Sequence, residues 1–417
     1  MKKRVLTVFV VVGIAAGGSL QAQTAAEPLT RQWVIAEVLK TNPNVTAAQA
    51  AWDGAREAVR VAGFLDDPVL SSAIAPLTID DNSIGFRTGV SQVIPWPGRL
   101  DVRQSRAEAL ADQRRWNLES IRLGLALEAS ELFNDWYLIH RALDLNTHHL
   151  DLANNLKASA ETRYVAGAAT QQDPLQAEVR LTRLQRGRLE LESRRRTTQA
   201  RINSMMHRPP GSPLPPPPDL LDLPASRSLD LDHRGQPLYE AALARVRTAE
   251  AELRLAELET RPDVMAMAEY STMFMDDHRL MTGISVRLPV RKSRIQAAIA
   301  VARADVAEAR STAVAASDQL DFEVESARLD LQNALEIVRI YQDHLVPASN
   351  DQSDAAQIGF TTGRSSFSSL VDAEKNLEEI MLGYHEALTD AWTAAARVAV
   401  AAGLIPFIAE ETSDDSE

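Results

Sequence analysis

The sequence predicts a mainly α chain with a small membrane β-barrel portion, built as two tandem structural repeats. Long helices form an α-barrel, and four strands per chain complete a 12-stranded barrel in a trimer. Three observations carry this expectation. No proline falls between Pro97 and Pro174, between Pro289 and Pro347, or between Pro347 and Pro406, and these windows are rich in Ala, Leu, Glu and Arg, all good helix formers. Between the helical windows lie segments of alternating polarity, each roughly the ~10 residues of a transmembrane β-strand. The two halves of the chain also match each other at a fixed offset.

The bulk numbers fit this class. The chain has 417 residues, 45% apolar but only 5% aromatic, a balance that favours long helices. The formal charge of −13 argues against a nucleic-acid partner, which calls for a basic domain. The chain has no cysteine, which excludes disulfides, zinc-thiolate sites and thiol catalysis. Residues 1–22 read as a signal peptide: three positive charges, an apolar stretch from Val5 to Ala16, then small residues up to Ala22. The alternative, a membrane anchor, needs a longer apolar run. No other run is apolar enough to span as a helix, so a membrane-crossing portion must be a β-barrel.

The first repeat covers residues 23–207 and the second 221–406, with a Pro-rich linker at 208–220 and an acidic C-terminal tail at 407–417. An offset of 194 residues carries Pro43 onto Pro237, Pro68 onto Pro262, Gly89 onto Gly283 and Pro95 onto Pro289. An offset of 196 then aligns "YVAGAATQQDPLQAEVRL" with "FTTGRSSFSSLVDAEKNL", placing Gly167 on Gly363. Each half therefore reads as helix, two strands, long helix, turn, long helix. A helix of ~60 residues is ~90 Å long and needs lateral partners along its length, as in a coiled coil or helical barrel. The glycine-bearing breaks at Tyr164–Thr170 and Phe360–Ser366 read as tips between long helices. The linker prolines suit an extended connector.

In the strands, the even positions are mostly apolar (Ile84, Phe86, Val90, Ile94; Val264, Tyr270, Phe274; Leu280, Ile284, Val286, Leu288), while the odd positions hold Ser83, Arg87, Ser91, Glu269, Ser271, Ser285 and Arg287 beside glycines and methionines. Alternation with period two gives each strand two unlike faces. The hairpins are expected to turn at Asp80-Asp81 and Asp276-Asp277. Four strands cannot enclose a channel, but three copies can. The even face then meets lipid and the odd face meets the lumen.

Five of the nine methionines, Met265, Met267, Met273, Met275 and Met281, occupy odd positions of the second hairpin. Two readings stand side by side: pore-wall packing, or thioethers that suit Cu(I) and Ag(I). The first hairpin has no methionine on its matching face.

Together, "NPNVTAAQAAWDGAREAVRVAG", "GVSQVIPWPGRL", "RYVAGAATQQDPLQAEVRL" and their second-half counterparts resemble the outer-membrane efflux proteins of the TolC family, over nearly the whole mature chain. "GISVRLPVRKSR" lacks the second proline and glycine of the first strand exit. The resemblance implies a homotrimer in the Gram-negative outer membrane that extends into the periplasm, and partners in a periplasmic adaptor protein and an inner-membrane pump. It also implies adaptor contact at Tyr164, Gly167, Phe360 and Gly363, where phenylalanine replaces the tyrosine of the second tip. Family members often carry two aspartates three apart just past each tip. This chain keeps Asp173 but has Gln176, and keeps Asp372 but has Ser369. A ring of carboxylates at a constriction attracts cations and sets a gate. Helix capping or a solvated face is the alternative for both aspartates.

His140, His148 and His149 lie on one predicted helix at spacings that do not make a two-histidine metal site, and read as solvated or packing residues. No Gly-rich phosphate loop, His-Glu-x-x-His pattern or nucleophile elbow occurs. The sequence-level expectation is a non-enzymatic exit duct of a tripartite efflux system, without a cofactor, carrying metal cations. The alternatives are a duct for drugs or secreted proteins and a soluble periplasmic coiled-coil adaptor.

Overall fold

The structure is a computed structural model that describes residues 28–75, 85–224, 235–272 and 279–407. The signal segment, both predicted hairpin turns and nearly all of the acidic tail lie outside the described residues, as do Met273 and Met275.

The first half runs α1 (Arg31–Thr41), α2 (Pro43–Ala62), β1 (Val69–Ala75), β2 (Gly85–Ile94), α3 (Arg99–Val165) and α4 (Gln172–Met205). The second runs α5 (Pro237–Leu258), β3 (Asp263–Ser271), β4 (Arg279–Arg287), α6 (Lys292–Ile340), a π-helical turn (Tyr341–Leu345), α7 (Val346–Thr361) and α8 (Phe367–Ala401). At 67 residues, α3 is about 100 Å long. Helices α2 and α5 both start on a proline whose predecessor caps them: the Asn42 side chain accepts from Asn44 N, and that of Gln236 accepts from Leu238 N.

The repeat extends to individual hydrogen bonds. At the first tip Ala166 N, Gly167 N and Ala168 N donate to Thr162 O, Tyr164 O and Arg163 O; at the second, Thr362 N, Gly363 N and Arg364 N donate to Ile358 O, Phe360 O and Gly359 O. The ends of α4 and α8 use the same pattern. Met206 N, His207 N and Arg208 N donate to Ile202 O, Ser204 O and Asn203 O, and Ala402 N, Gly403 N and Leu404 N donate to Val398 O, Val400 O and Ala399 O. These are Schellman closures, which need one residue in the left-handed region. Gly167 (φ +70°), Gly363 (φ +75°) and Gly403 (φ +75°) supply it, while His207 (φ +54°) does so at a steric cost.

Between strand exit and tip the offset grows by two, so the second long helix is longer. The π-helical turn lies in that interval, and its wider turn holds an extra residue. It ends two residues before Pro347, whose ring and missing N–H disturb the α geometry of the preceding turn. Gly383 in α8 faces this turn: a Cβ there would lie 2.5 Å from the Tyr341 hydroxyl.

The linker after α4 is extended, as its prolines predict, and it is strapped down. Leu29 N donates to Pro216 O, Trp136 Nε1 to Pro215 O, and Trp392 Nε1 to Asp222 O. Beside it, α1 buries Arg31 among aromatic rings. Its guanidinium lies 3.9 Å from the Trp392 ring centre and 5.0 Å from those of Phe133 and Phe407, and it donates to Asn134 Oδ1 at 2.7 Å. Burial lowers its pKa to about 9. The surrounding core, with Val34, Ile35, Val38, Phe133, Ile202 and Met206, ties α1, α3 and the end of α4 together.

Candidate functional site: the strand faces and the helix tips

The four strands form one antiparallel sheet in the order β1-β2-β3-β4, so the hairpins of the two halves join at β2–β3. The register keeps parity across the sheet: Leu70 pairs with Val90, Val90 with Ala268, Ile94 with Val264, and Val264 with Val286. Paired residues share a face. All even positions therefore form one surface and all odd positions the other, as the alternation predicts. Leu70, Ile74, Phe86, Val90, Ile94, Leu280, Ile284 and Val286 are exposed on the even face. Among the described residues nothing packs over these side chains, and an exposed apolar band of this kind marks a membrane or partner surface. Among the described residues both outer strands, β1 and β4, have one edge with no neighbouring strand.

The odd face carries the charges. Arg87 lies 3.6 Å from Glu269, and Asp263 sits opposite Arg287. Met265, Met267 and Met281 are on this face, opposite Ser285, Gly283 and Glu269 respectively. Met267 and Met281 are each 38% exposed.

The tips lie at the other end of the long helices. Tyr164 is 45% exposed, but Phe360 is only 7% exposed and packs with Phe367, Leu370, Ala160 and Ala177. Its ring meets Phe367 edge-on at 5.8 Å, and Arg163 covers it at 4.5 Å. The two aromatic positions, equivalent in sequence, are thus split between surface and core. Gly167 and Gly363 are both exposed at the turns.

The two aspartates also divide. Asp173, in the first turn of α4, accepts from the Thr170 hydroxyl at 3.0 Å. The equivalent Ser366 and Ser369 hydroxyls bond at 2.8 Å. In the second half Ser366 caps α8 by accepting from Ser369 N at 3.1 Å; α4 has no such side-chain cap, and the Thr170–Asp173 bond stands in that place. Asp372, one turn further on, is exposed.

Sequence reasoning missed the buried polar groups behind the tips. Ser353 donates to Glu374 at 2.6 Å, joining α7 to α8. Arg180 of α4 reaches Glu378 of α8 at 3.3 Å. Burial pushes the Glu378 carboxyl up, against the pull of Arg180. Nearer the surface, Lys157 of α3 pairs with Glu178 of α4, and this pair is open to solvent. Glu374 belongs to the Ala-Glu pair that the tip motif repeats, which is the signal that could have marked it. Of the helix-α3 histidines, His149 is buried and His140 meets Trp136 edge-on at 4.5 Å, so both are packing residues. Among the described residues no helix is long and apolar enough to cross a membrane. Nor does any group of three His, Cys, Asp or Glu there form a metal site.

No family model matches the chain. It is 21% identical over 386 residues, 90% of both chains, to the cobalt-zinc-cadmium resistance protein CzcC of Cupriavidus metallidurans. Among solved structures it superposes on the outer-membrane channel OprN with a TM-score of 0.78 at 18% identity, covering 89% of each chain. It superposes on the outer membrane protein VceC of Vibrio cholerae with a TM-score of 0.77 at 16% identity, covering 89% of this chain and 96% of that one. The resemblance read from the sequence motifs is borne out in the fold.

Proposed function

We propose that this chain, which has the fold of the TolC-type outer-membrane channels, is the trimeric exit duct of a tripartite efflux system. The observation that carries the reading is the four-stranded sheet. One face is apolar and uncovered, the other is charged, and both edges are open. Backbone groups on an edge cannot stay unpaired in lipid. Pairing β4 of one copy with β1 of the next through three copies satisfies all of them and gives twelve strands. The helices support the same assembly. Leu175, Val179 and Leu189 of α4, and Phe322, Leu329, Ile337 and Ile340 of α6, are exposed in a single chain, as faces awaiting neighbours would be.

In this reading the protein sits in the outer membrane of a Gram-negative cell. Its helices reach into the periplasm, and its tips meet an adaptor through Tyr164 and the Gly167 and Gly363 turns. Phe360 supports the second tip from inside. An inner-membrane pump supplies the energy. Asp372 lines the constriction, while Asp173 is held by the Thr170 hydroxyl. Metal cations are the cargo. The likeness to a cobalt-zinc-cadmium resistance protein and the methionines on the charged face support that choice. A second cargo class, anionic organic molecules, draws on Arg87, Arg279 and Arg287 on the same face.

Two experiments test the reading. Single-channel recording of the purified protein in a planar bilayer is expected to show stable conductance; well-folded trimer that never conducts, under any opening condition, overturns the duct. Deletion in the native host is expected to lower metal tolerance. Unchanged silver, copper, zinc and cobalt tolerance beside a fall in drug tolerance overturns the metal cargo.

A further inference from the structure

We infer that Met265, Met267 and Met281 form a thioether site for a soft monovalent cation, Cu(I) or Ag(I), on the lumenal wall of the β3–β4 hairpin. The inference rests on the duct reading, because the odd face must line the lumen for the site to meet cargo.

The register sets the three residues in one row with Met267 in the middle: Met265 and Met281 are four ladder positions apart, roughly 14 Å, so Met267 is the residue that can share an ion with either neighbour. Met265 and Met267 are two apart on β3, about 7 Å along the strand. Met267 pairs with Gly283 and Met281 is two residues from Gly283 on β4, so Met267 and Met281 are diagonal neighbours about 7–8 Å apart at the backbone. Methionine side chains span such gaps readily. Gly283 leaves the space that one of them uses: a Cβ there would lie 3.3 Å from Met267 Cγ and 3.7 Å from its Sδ. The thioether of Met267 therefore lies across β4, on the strand that carries Met281, and not over its own strand. Met267 and Met281 remain open to the lumen.

The surroundings set the class of ion. Two carboxylates flank the row on this face, and each faces a guanidinium that offsets its charge: Glu269, opposite Met281, has Arg87 at 3.6 Å, and Asp263, two residues before Met265, has Arg99 at 2.6 Å. What remains is a set of neutral, polarizable sulfurs. Such donors suit Cu(I) and Ag(I) and do not repay the dehydration of a divalent cation, which needs imidazole, thiolate or carboxylate ligands. Two neutral thioethers at a time, Met267 with one of its neighbours, hold the ion loosely on an open wall, as a conducting lumen requires: favourable to enter, and weak enough to leave. Three copies place three such sites around one ring of the barrel.

The test is silver binding to the purified trimer by calorimetry, wild type beside Met265→Leu/Met267→Leu/Met281→Leu. Leucine keeps the volume and the packing, and conductance is recorded on both proteins. The expected result is Ag(I) binding that falls at least about tenfold in the triple variant, no heat with Zn(II) or Co(II) at these positions, and equal conductance. Equal Ag(I) binding by both proteins, or none by either, overturns the site while conductance leaves the duct standing. Zn(II) binding lost in the variant overturns the assignment of ion class. Absence of conductance from both proteins removes the duct reading and the site's claim on cargo with it.

Discussion

Arg99 and Asp263 lock the two repeats together where the strands meet the helices. The Arg99 guanidinium donates to both Asp263 carboxylate oxygens at 2.6 Å and to Leu258 O at 2.7 Å, and the pair is mostly sheltered from solvent. Asp263 also accepts from Trp96 N at 3.3 Å. The arginine opens α3 and the aspartate opens β3, so one ion pair fixes the strand exit of the first half against the strand entry of the second. The repeat does not duplicate it: the equivalent positions are Ser293 and Val69.

Arg99→Ala leaves Asp263 with its remaining bond from Trp96 N and no cation. Loss of a sheltered partner is expected to cost about 3 kcal/mol. The check is the thermal midpoint of the detergent-solubilised protein, which falls in Arg99→Ala and falls less in Arg99→Lys. Equal midpoints for wild type and the alanine variant refute the lock.

The tip aspartates are expected to separate by function. Asp372→Ala removes an exposed charge and raises or retunes single-channel conductance without changing stability. Asp173→Ala loses the exposed bond from Thr170, costs about 0.5–1 kcal/mol, and leaves conductance nearly unchanged. Recording both variants in the same bilayer decides it; the reverse pattern assigns the gate to the first half.

Two buried histidines predict acid sensitivity. Burial lowers the pKa of His149, beside Arg180 and His148, to about 4, and that of His385, which bonds the Tyr137 hydroxyl at 3.0 Å, also to about 4. Unfolded, each titrates near ~6.5. Between these values the unfolded chain binds more protons, so stability is full above pH ~6.5 and is lost as pH falls toward ~4. Thermal midpoints measured across this window are expected to fall steeply in wild type. They should fall less in His149→Gln and in His385→Gln. Parallel curves would falsify the assignment.

The matched helix ends give a pairwise test of the repeat. His207→Gly relieves a left-handed side chain and is expected to be neutral or stabilising by up to about 1 kcal/mol. Gly403→Ala places a Cβ at φ +75°, 3.5 Å from Gln236 Cα, and is expected to destabilise by about 1–2 kcal/mol. Denaturant or thermal melts of the two variants check the opposite signs.

Sequence by itself determined the helices, the strands, their two faces and the twofold plan. Each follows from local chemistry: proline placement, period-two alternation, and glycine where φ is positive. It also located Tyr164, Gly167, Gly363, Asp173 and Asp372 at the tips. Tertiary structure decided what those residues do. Phe360 occupies the site equivalent to Tyr164, yet it is buried because Phe367 and Arg163 close over it. Asp173 and Asp372 both stand just past a tip in sequence, yet the carboxylate of Asp173 is held by Thr170. Arg99 and Asp263, Ser353 and Glu374, and Arg180 and Glu378 are pairs between elements distant along the chain, and no local pattern marks them. The methionines show the same division. Their common face followed from their odd numbering, but their gathering into one patch depended on the β3–β4 register and the space over Gly283. Faces and turns are set by a residue and its near neighbours. Contacts are set by which elements the fold brings side by side.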